Sequence, residues 1–176
     1  IVEIVAEEGY WRQVVTPEPY TAWCTDLGLV EMSAEQINEY KAAPKYICLA
    51  QHSGVYETPS LNGRRQSDLS MGNLVRIVYT EGKKVKPSVK KKWAEVMLPD
   101  GRKGWTPAAD LTVFAEWAGK QKITADNIVN TAMTFEGTPY LWGGASSKGL
   151  DCSGLVRLTF MMNGHLLPRN ASQQVN

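Results

Sequence analysis

The 176-residue sequence predicts a multidomain chain, small all-β barrel modules followed by the N-terminal part of an α+β domain. Three observations carry that expectation. A unit bounded by paired tryptophans occurs twice, and both copies are written in short alternating strands broken by Gly, Pro and Asp. The last third then changes to helical periodicity around a glycine-rich loop.

The repeat is read from position to position. Trp11 and Trp23 are separated by the same interval as Trp93 and Trp105, and between them Val14 aligns with Val96, Pro17 with Pro99, Glu18 with Asp100 and Ala22 with Gly104. Upstream, Ile1 to Gly9 aligns without a gap with Leu74 to Gly82, after which the second copy carries a longer loop. The second copy also extends back to residue 44, whereas nothing precedes Ile1, so the sequence is expected to open inside a module.

Within the copies, Leu74 to Tyr79, Trp93 to Leu98 and Gly104 to Thr106 alternate apolar and polar residues, the period of a half-buried strand. Pro99-Asp100-Gly101-Arg102 is a tight-turn sequence between two of them. Between the copies, Ser33-Ala34-Glu35-Gln36 offers a capping box for a short helix over Ala34 to Lys41, with Ile37 and Tyr40 on one face and Pro44 closing it. Ala115 to Lys122 reads as a second connection. It leads to a helix capped at Thr124, carrying Ile128, Ala132 and Phe135 and ended by Gly137. The expected division is 1–32 for the end of a first β module, 33–43 for a linking helix, 44–115 for a second β module and 116–176 for the opening of the α+β domain.

Composition is that of a folded protein, with 43% apolar residues, and a net charge of +1 supplies no field for nucleic acid. No run resembles a membrane span or a signal segment. The three cysteines, Cys24, Cys48 and Cys152, form no disulfide framework, and no His, Cys, Asp and Glu cluster has metal-ligand spacing, so no cofactor is expected. Lys83, Lys84, Lys86, Lys90, Lys91 and Lys92 crowd one loop. Such a run is a solvated hairpin tip first and a grip on anionic polymer second.

Chemistry concentrates in Tyr140-Leu-Trp-Gly-Gly-Ala-Ser-Ser-Lys-Gly-Leu-Asp-Cys-Ser-Gly-Leu-Val156. Cys152 lies between Asp151 and Ser153, behind a loop kept irregular by Gly143, Gly144 and Gly149 and ahead of an apolar helical pattern that stops near Asn163-Gly164. A thiol attacks as thiolate, which unpaired N–H groups and the positive end of a helix dipole favour. An unpaired cysteine is also at home as a small core hydrophobe. A core cysteine, however, has no use for a capping Asp, a following Ser and a Trp-Gly-Gly turn.

Three segments, Tyr140-Leu-Trp-Gly-Gly, Leu150-Asp-Cys-Ser-Gly-Leu and Leu167-Pro-Arg-Asn-Ala-Ser-Gln-Gln174, resemble in order and spacing the NlpC family of bacterial cell-wall cysteine peptidases. The tryptophan repeat with its Pro-Asp-Gly turn resembles bacterial SH3 domains. Together these resemblances imply SH3-like barrels followed by a papain-like (NlpC) catalytic half, with tandem barrels similar to those of γ-D-glutamyl-L-diamino acid peptidases. The implied activity is hydrolysis of the γ-D-glutamyl–diamino acid bond in peptidoglycan stem peptides or free murein peptides, as an endopeptidase or dipeptidyl-peptidase. Cys152 would be the nucleophile, with the Cys152 N–H and Tyr140 steadying the oxyanion.

The same resemblance makes Asp151, Ser153, Trp142, Arg169, Asn170 and Ser172 the substrate wall. Asp151 would pair with a substrate amine, and Asp26 or Glu31 would be a second partner from the first module. Asn170 stands where the family often has Asp, which removes a charge. The family's histidine lies well downstream of the cysteine, whereas this sequence ends 24 residues after Cys152, so the catalytic domain is expected to be cut before it. Neither His52 nor His165 fits the position. A peptidoglycan-binding module without catalysis and a Cys-dependent acyl or amide transferase are the competing functions. The substrate class favours the periplasm, cell envelope or exterior, and peptide recycling would suit the cytoplasm.

Overall fold

The computed structural model describes residues 1–78 and 92–175; the lysine run from Lys83 to Lys91 lies outside them. The chain opens with a three-stranded antiparallel meander of β1 (Glu3–Glu8), β2 (Trp11–Val15) and β3 (Thr21–Thr25). Helix α1 (Ala34–Ala42) follows with both halves of its capping box made: Gln36 N–H donates to Ser33 Oγ at 3.3 Å, and Ser33 N–H to Gln36 Oε1 at 2.8 Å. Next come β4 (Lys45–Cys48), β5 (His52–Tyr56), β6 (Arg65–Ser70), β7 (Leu74–Ile77), β8 (Trp93–Met97), β9 (Lys103–Pro107) and β10 (Leu111–Val113). These make one seven-stranded sheet in the order β10-β4-β7-β8-β9-β5-β6.

The C-terminal part holds α2 (Phe114–Ala118), α3 (Ala125–Met133), the short ribbon β11 (Ala145–Ser146) and β12 (Gly149–Leu150), α4 (Cys152–Met161) and α5 (Ala171–Gln174). Helix α2 therefore occupies part of the stretch expected to be a plain connection.

The sequence repeat corresponds to two hairpins of the same register. Trp11 faces Thr25 and Gln13 faces Trp23 across β2 and β3, while Trp93 faces Pro107 and Glu95 faces Trp105 across β8 and β9. The turn joining β8 to β9 places Gly101 at φ +86°, a left-handed value that costs glycine nothing. Asp100 closes it by accepting from the Arg102 N–H at 3.0 Å.

The fold class is a correction. Tandem SH3-like all-β barrels followed by a separate papain-like fragment are not what the chain forms; it is an α+β fold with strands and helices on a shared core. The decisive element is β4, in which Tyr46, Ile47 and Cys48 are all buried. Side chains alternate across a strand, so consecutive buried residues mean burial on both faces. On one face Tyr46 and Cys48 pack with Val55, Leu69, Val75, Ile77, Val96 and Leu111. On the other, Ile47 packs with Phe135, Leu150, Leu158 and Met162 from the helical part, joined by Leu74, Met71 and Trp117.

Polar contacts repeat the connection. Gln51 Nε2 donates to the Thr134 carbonyl, Ser147 Oγ donates to the Gln51 carbonyl, and Lys148 pairs with Asp68. A hairpin repeat reports local pairing and says nothing about which other elements share the core, which is why it suggested independent modules.

Candidate active site

Asp151 terminates β12 and caps α4, so that Cys152 is the first helical residue. The loop from 139 to 144 is laid beside 150–151 by backbone bonds from Leu150 N–H to Pro139 O (3.1 Å), Leu141 N–H to Leu150 O (3.1 Å) and Asp151 N–H to Gly144 O (3.1 Å). Tyr140, in a parallel bridge with Leu150, and Trp142 are thereby set next to the helix start. Both are exposed, Trp142 by 88%. The loop can lie this close because of its glycines. Gly143 has φ +80°, and a Cβ on Gly154 of α4 would clash with the Gly144 carbonyl oxygen.

The Asp151 carboxylate is the hub of the site. Its Oδ1 accepts from Gly154 N–H at 2.7 Å, Ser153 Oγ at 3.3 Å and Arg169 Nη1 at 3.2 Å. Its Oδ2 accepts from Gly143 N–H at 3.0 Å and Arg169 Nη2 at 2.7 Å. The fork of Arg169 above all, then the two backbone N–H donors, holds the carboxyl down at about 2. In return Asp151 holds the Arg169 guanidinium charged.

Arg169 reaches the helix start because the chain doubles back. Gly164, at φ +87°, closes the turn after α4, and the following residues carry the chain back to Arg169.

Cys152 is exposed, whereas Cys48 is buried and Cys24 half-buried; all three are free thiols. Ser153 is buried, with Oγ accepting from Arg169 Nη1 at 2.8 Å and its carbonyl accepting from Gln174 Nε2 at 3.0 Å. Asn170 precedes α5 and donates its N–H to Gln173 Oε1 at 3.3 Å, and Ser172 sits in the first turn of that helix. The structure thus brings Tyr140, Trp142, Asp151, Cys152, Ser153 and Arg169 together, with Asn170 and Ser172 just beyond.

Asp26 is not among them. It sits where β3 ends, its N–H bonded to the Tyr10 carbonyl, and among the described residues it shares no hydrogen bond or ion pair with the others. The first sheet instead reaches α4 through Glu18, paired with Arg157, and brings Tyr20 within electrostatic reach of Arg169. Sequence reasoning missed both, although Pro17-Glu18-Pro19-Tyr20 marks a stiff loop tip. His165 packs its ring on Phe160 past the far end of α4, and His52 is exposed at the start of β5. A cavity of about 600 Å³ lies elsewhere, among Ile4, Leu29, Val30, Met32, Ile37 and Tyr40.

An exposed cysteine at a capped helix start, beside an irregular glycine loop, lies within the stretch that matches a known family. Residues 137–176 match the NlpC/P60 family. Relatives of the wider chain carry peptidase names. The chain is 27% identical over 172 residues to dipeptidyl-peptidase 6 of Lysinibacillus sphaericus, covering 97% of this chain and 61% of that protein. It is 28% identical over 195 residues to γ-D-glutamyl-L-lysine dipeptidyl-peptidase of Bacillus subtilis, covering 98% of this chain and 54% of that protein.

A crystal structure of an NlpC/P60 family protein from Bacillus cereus superposes with a TM-score of 0.77 at 24% identity, over 98% of this chain and 55% of the other. That likeness concerns the fold, and it runs through β-sheets and helices alike, in keeping with the corrected α+β class. The chain spans a little over half the length of these proteins. Among the described residues no helix is long and apolar enough to cross a membrane.

Proposed function

We propose that the chain carries the nucleophile of a cysteine peptidase that cuts the γ-D-glutamyl–diamino acid bond of peptidoglycan stem peptides. The observation that carries this reading is the exposed Cys152 at the first position of α4, flanked by a capping carboxylate and an aromatic glycine loop. The names of the relatives, dipeptidyl-peptidase 6 and γ-D-glutamyl-L-lysine dipeptidyl-peptidase, support the substrate class.

In the proposed sequence of steps, Cys152 Sγ bonds to the γ-carbonyl carbon and the oxyanion takes hydrogen bonds from the Cys152 N–H and the Tyr140 hydroxyl. The C–N bond breaks, the diamino acid amine leaves with a proton from an imidazole, and water then hydrolyses the thioester. His165 packs on Phe160 past the far end of α4 and His52 opens β5, and neither is assigned this proton transfer. Trp142 offers a flat wall for the stem peptide, and Asn170 and Ser172 its polar border.

The test is L-Ala-γ-D-Glu-L-Lys offered to the full-length protein and to Cys152→Ala, with free lysine as the readout. Loss on the order of 10⁴-fold or more is expected. Unchanged release of lysine by the variant would end the reading, and an amine adduct in place of free acid would make the enzyme a transferase.

A further inference from the structure

We propose that Arg169 is a positioning residue, acting on Cys152 through Asp151 rather than touching the substrate. The proposal rests on the reading of Cys152 as nucleophile. Arg169 binds the residues immediately before and after that cysteine. Nη2 and Nη1 fork onto the two oxygens of Asp151 at 2.7 and 3.2 Å, and Nη1 also reaches Ser153 Oγ at 2.8 Å. The pair is largely enclosed, with the two side chains 13% and 12% exposed. A guanidinium meant to grip a substrate carboxylate keeps its fork free in the cleft, whereas here both terminal nitrogens face inward and are engaged.

The consequence lies in the cap. Asp151 must hold one rotamer to accept from Gly154 N–H and Gly143 N–H together, and those two bonds fix the helix start and the glycine loop on either side of the thiol. Arg169 selects that rotamer by engaging both oxygens at once, a geometry that a lysine ammonium cannot reproduce. Gln174 secures the returning segment by donating to the Ser153 and Pro168 carbonyls at 3.0 and 2.8 Å, so the clamp has its own anchor.

The experiment uses the full-length protein, with Arg169→Gln, Arg169→Lys, Asp151→Asn and the Asp151→Asn/Arg169→Gln double variant. Two readouts are taken: kcat and KM for L-Ala-γ-D-Glu-L-Lys, and the rate at which iodoacetamide labels Cys152 at fixed pH, followed by peptide mass. Positioning predicts that Arg169→Gln lowers kcat about 10²-fold with KM within about twofold, and slows labelling. Arg169→Lys falls between, and the double variant loses no more than the worse single one.

A raised KM with unchanged kcat and labelling would overturn the proposal in favour of a substrate grip, and losses that multiply in the double variant would overturn it as well. If Arg169→Gln fails to fold by circular dichroism, Arg169→Lys and Asp151→Asn carry the same comparison. Should Cys152→Ala retain turnover, the peptidase reading fails on its own, while the labelling rates still decide whether Arg169 works through Asp151.

Discussion

Glu18, at the tip between β2 and β3, is ion-paired with Arg157 on α4, and the two side chains are only 10% and 18% exposed. The pair ties the first sheet to the helix that begins with Cys152. Arg157 Nε is already without a hydrogen-bond partner, so the guanidinium depends on Glu18 for its compensation. Removing one member of a largely buried pair leaves an uncompensated charge, at a cost of about 3 kcal/mol. Glu18→Ala is therefore expected to lower the urea midpoint clearly, and Glu18→Met with Arg157→Leu to restore much of it. Equal midpoints for wild type and Glu18→Ala would show the contact to be dispensable.

Ile47 tests the shared core directly. It is 2% exposed and is the β4 residue that meets Phe135, Leu150, Leu158 and Met162. Truncation to Ala should cost about 2–5 kcal/mol. Because the Ile47 cluster joins β4 and Leu74 of β7 to α4, hydrogen exchange in β4, β7 and α4 should accelerate together. Faster exchange in the strands with α4 unaffected would contradict the corrected fold.

The local writing of this fold was legible: the Pro99 to Arg102 turn, the Ser33 capping box, the Thr124 cap and the register of two tryptophan hairpins all follow from residue chemistry. What misled was the layer arrangement. The run Tyr46-Ile47-Cys48-Leu49 lacks the alternation of a half-buried strand, and that lapse is the one trace in the sequence of a second packed face. At the site, Cys152 and its Asp151 cap were readable because a helix start has a local signature. Arg169 was readable as a neighbour but not in its role, since its partner depends on the return of the chain along α4. Glu18 and Tyr20 arrive from another sheet, a distance no local pattern records.

Asp151 gives the site a pH signature. Its carboxyl sits at about 2 in the folded chain against an ordinary 3.8, held there first by Arg169. A depressed carboxylate contributes stability that is complete above the ordinary value and is lost as pH falls through the folded one. The contribution, on the order of 1–2 kcal/mol, is thus present above about pH 4 and disappears towards pH 2. The gap in unfolding free energy between wild type and Asp151→Asn should narrow over that interval. A gap of constant size from pH 5 to pH 2 would mean that the Asp151–Arg169 pair does not set the carboxyl's affinity for protons.

The three thiols should differ sharply towards an alkylating reagent. Cys48 is fully buried, its Sγ donates to the Ala50 carbonyl at 3.4 Å, and burial pushes its thiol up to about 11. A thiol so placed holds almost no thiolate near neutrality and is closed to reagent. Cys24 is half-buried in β3, while Cys152 is exposed at the head of α4. Limiting iodoacetamide at pH 7 should place the first equivalent on Cys152, with Cys24 slower and Cys48 labelled only in urea. Peptide mass mapping of the singly modified protein decides the order, and a first label on Cys48 would mean that the β4 core opens more readily than its packing requires.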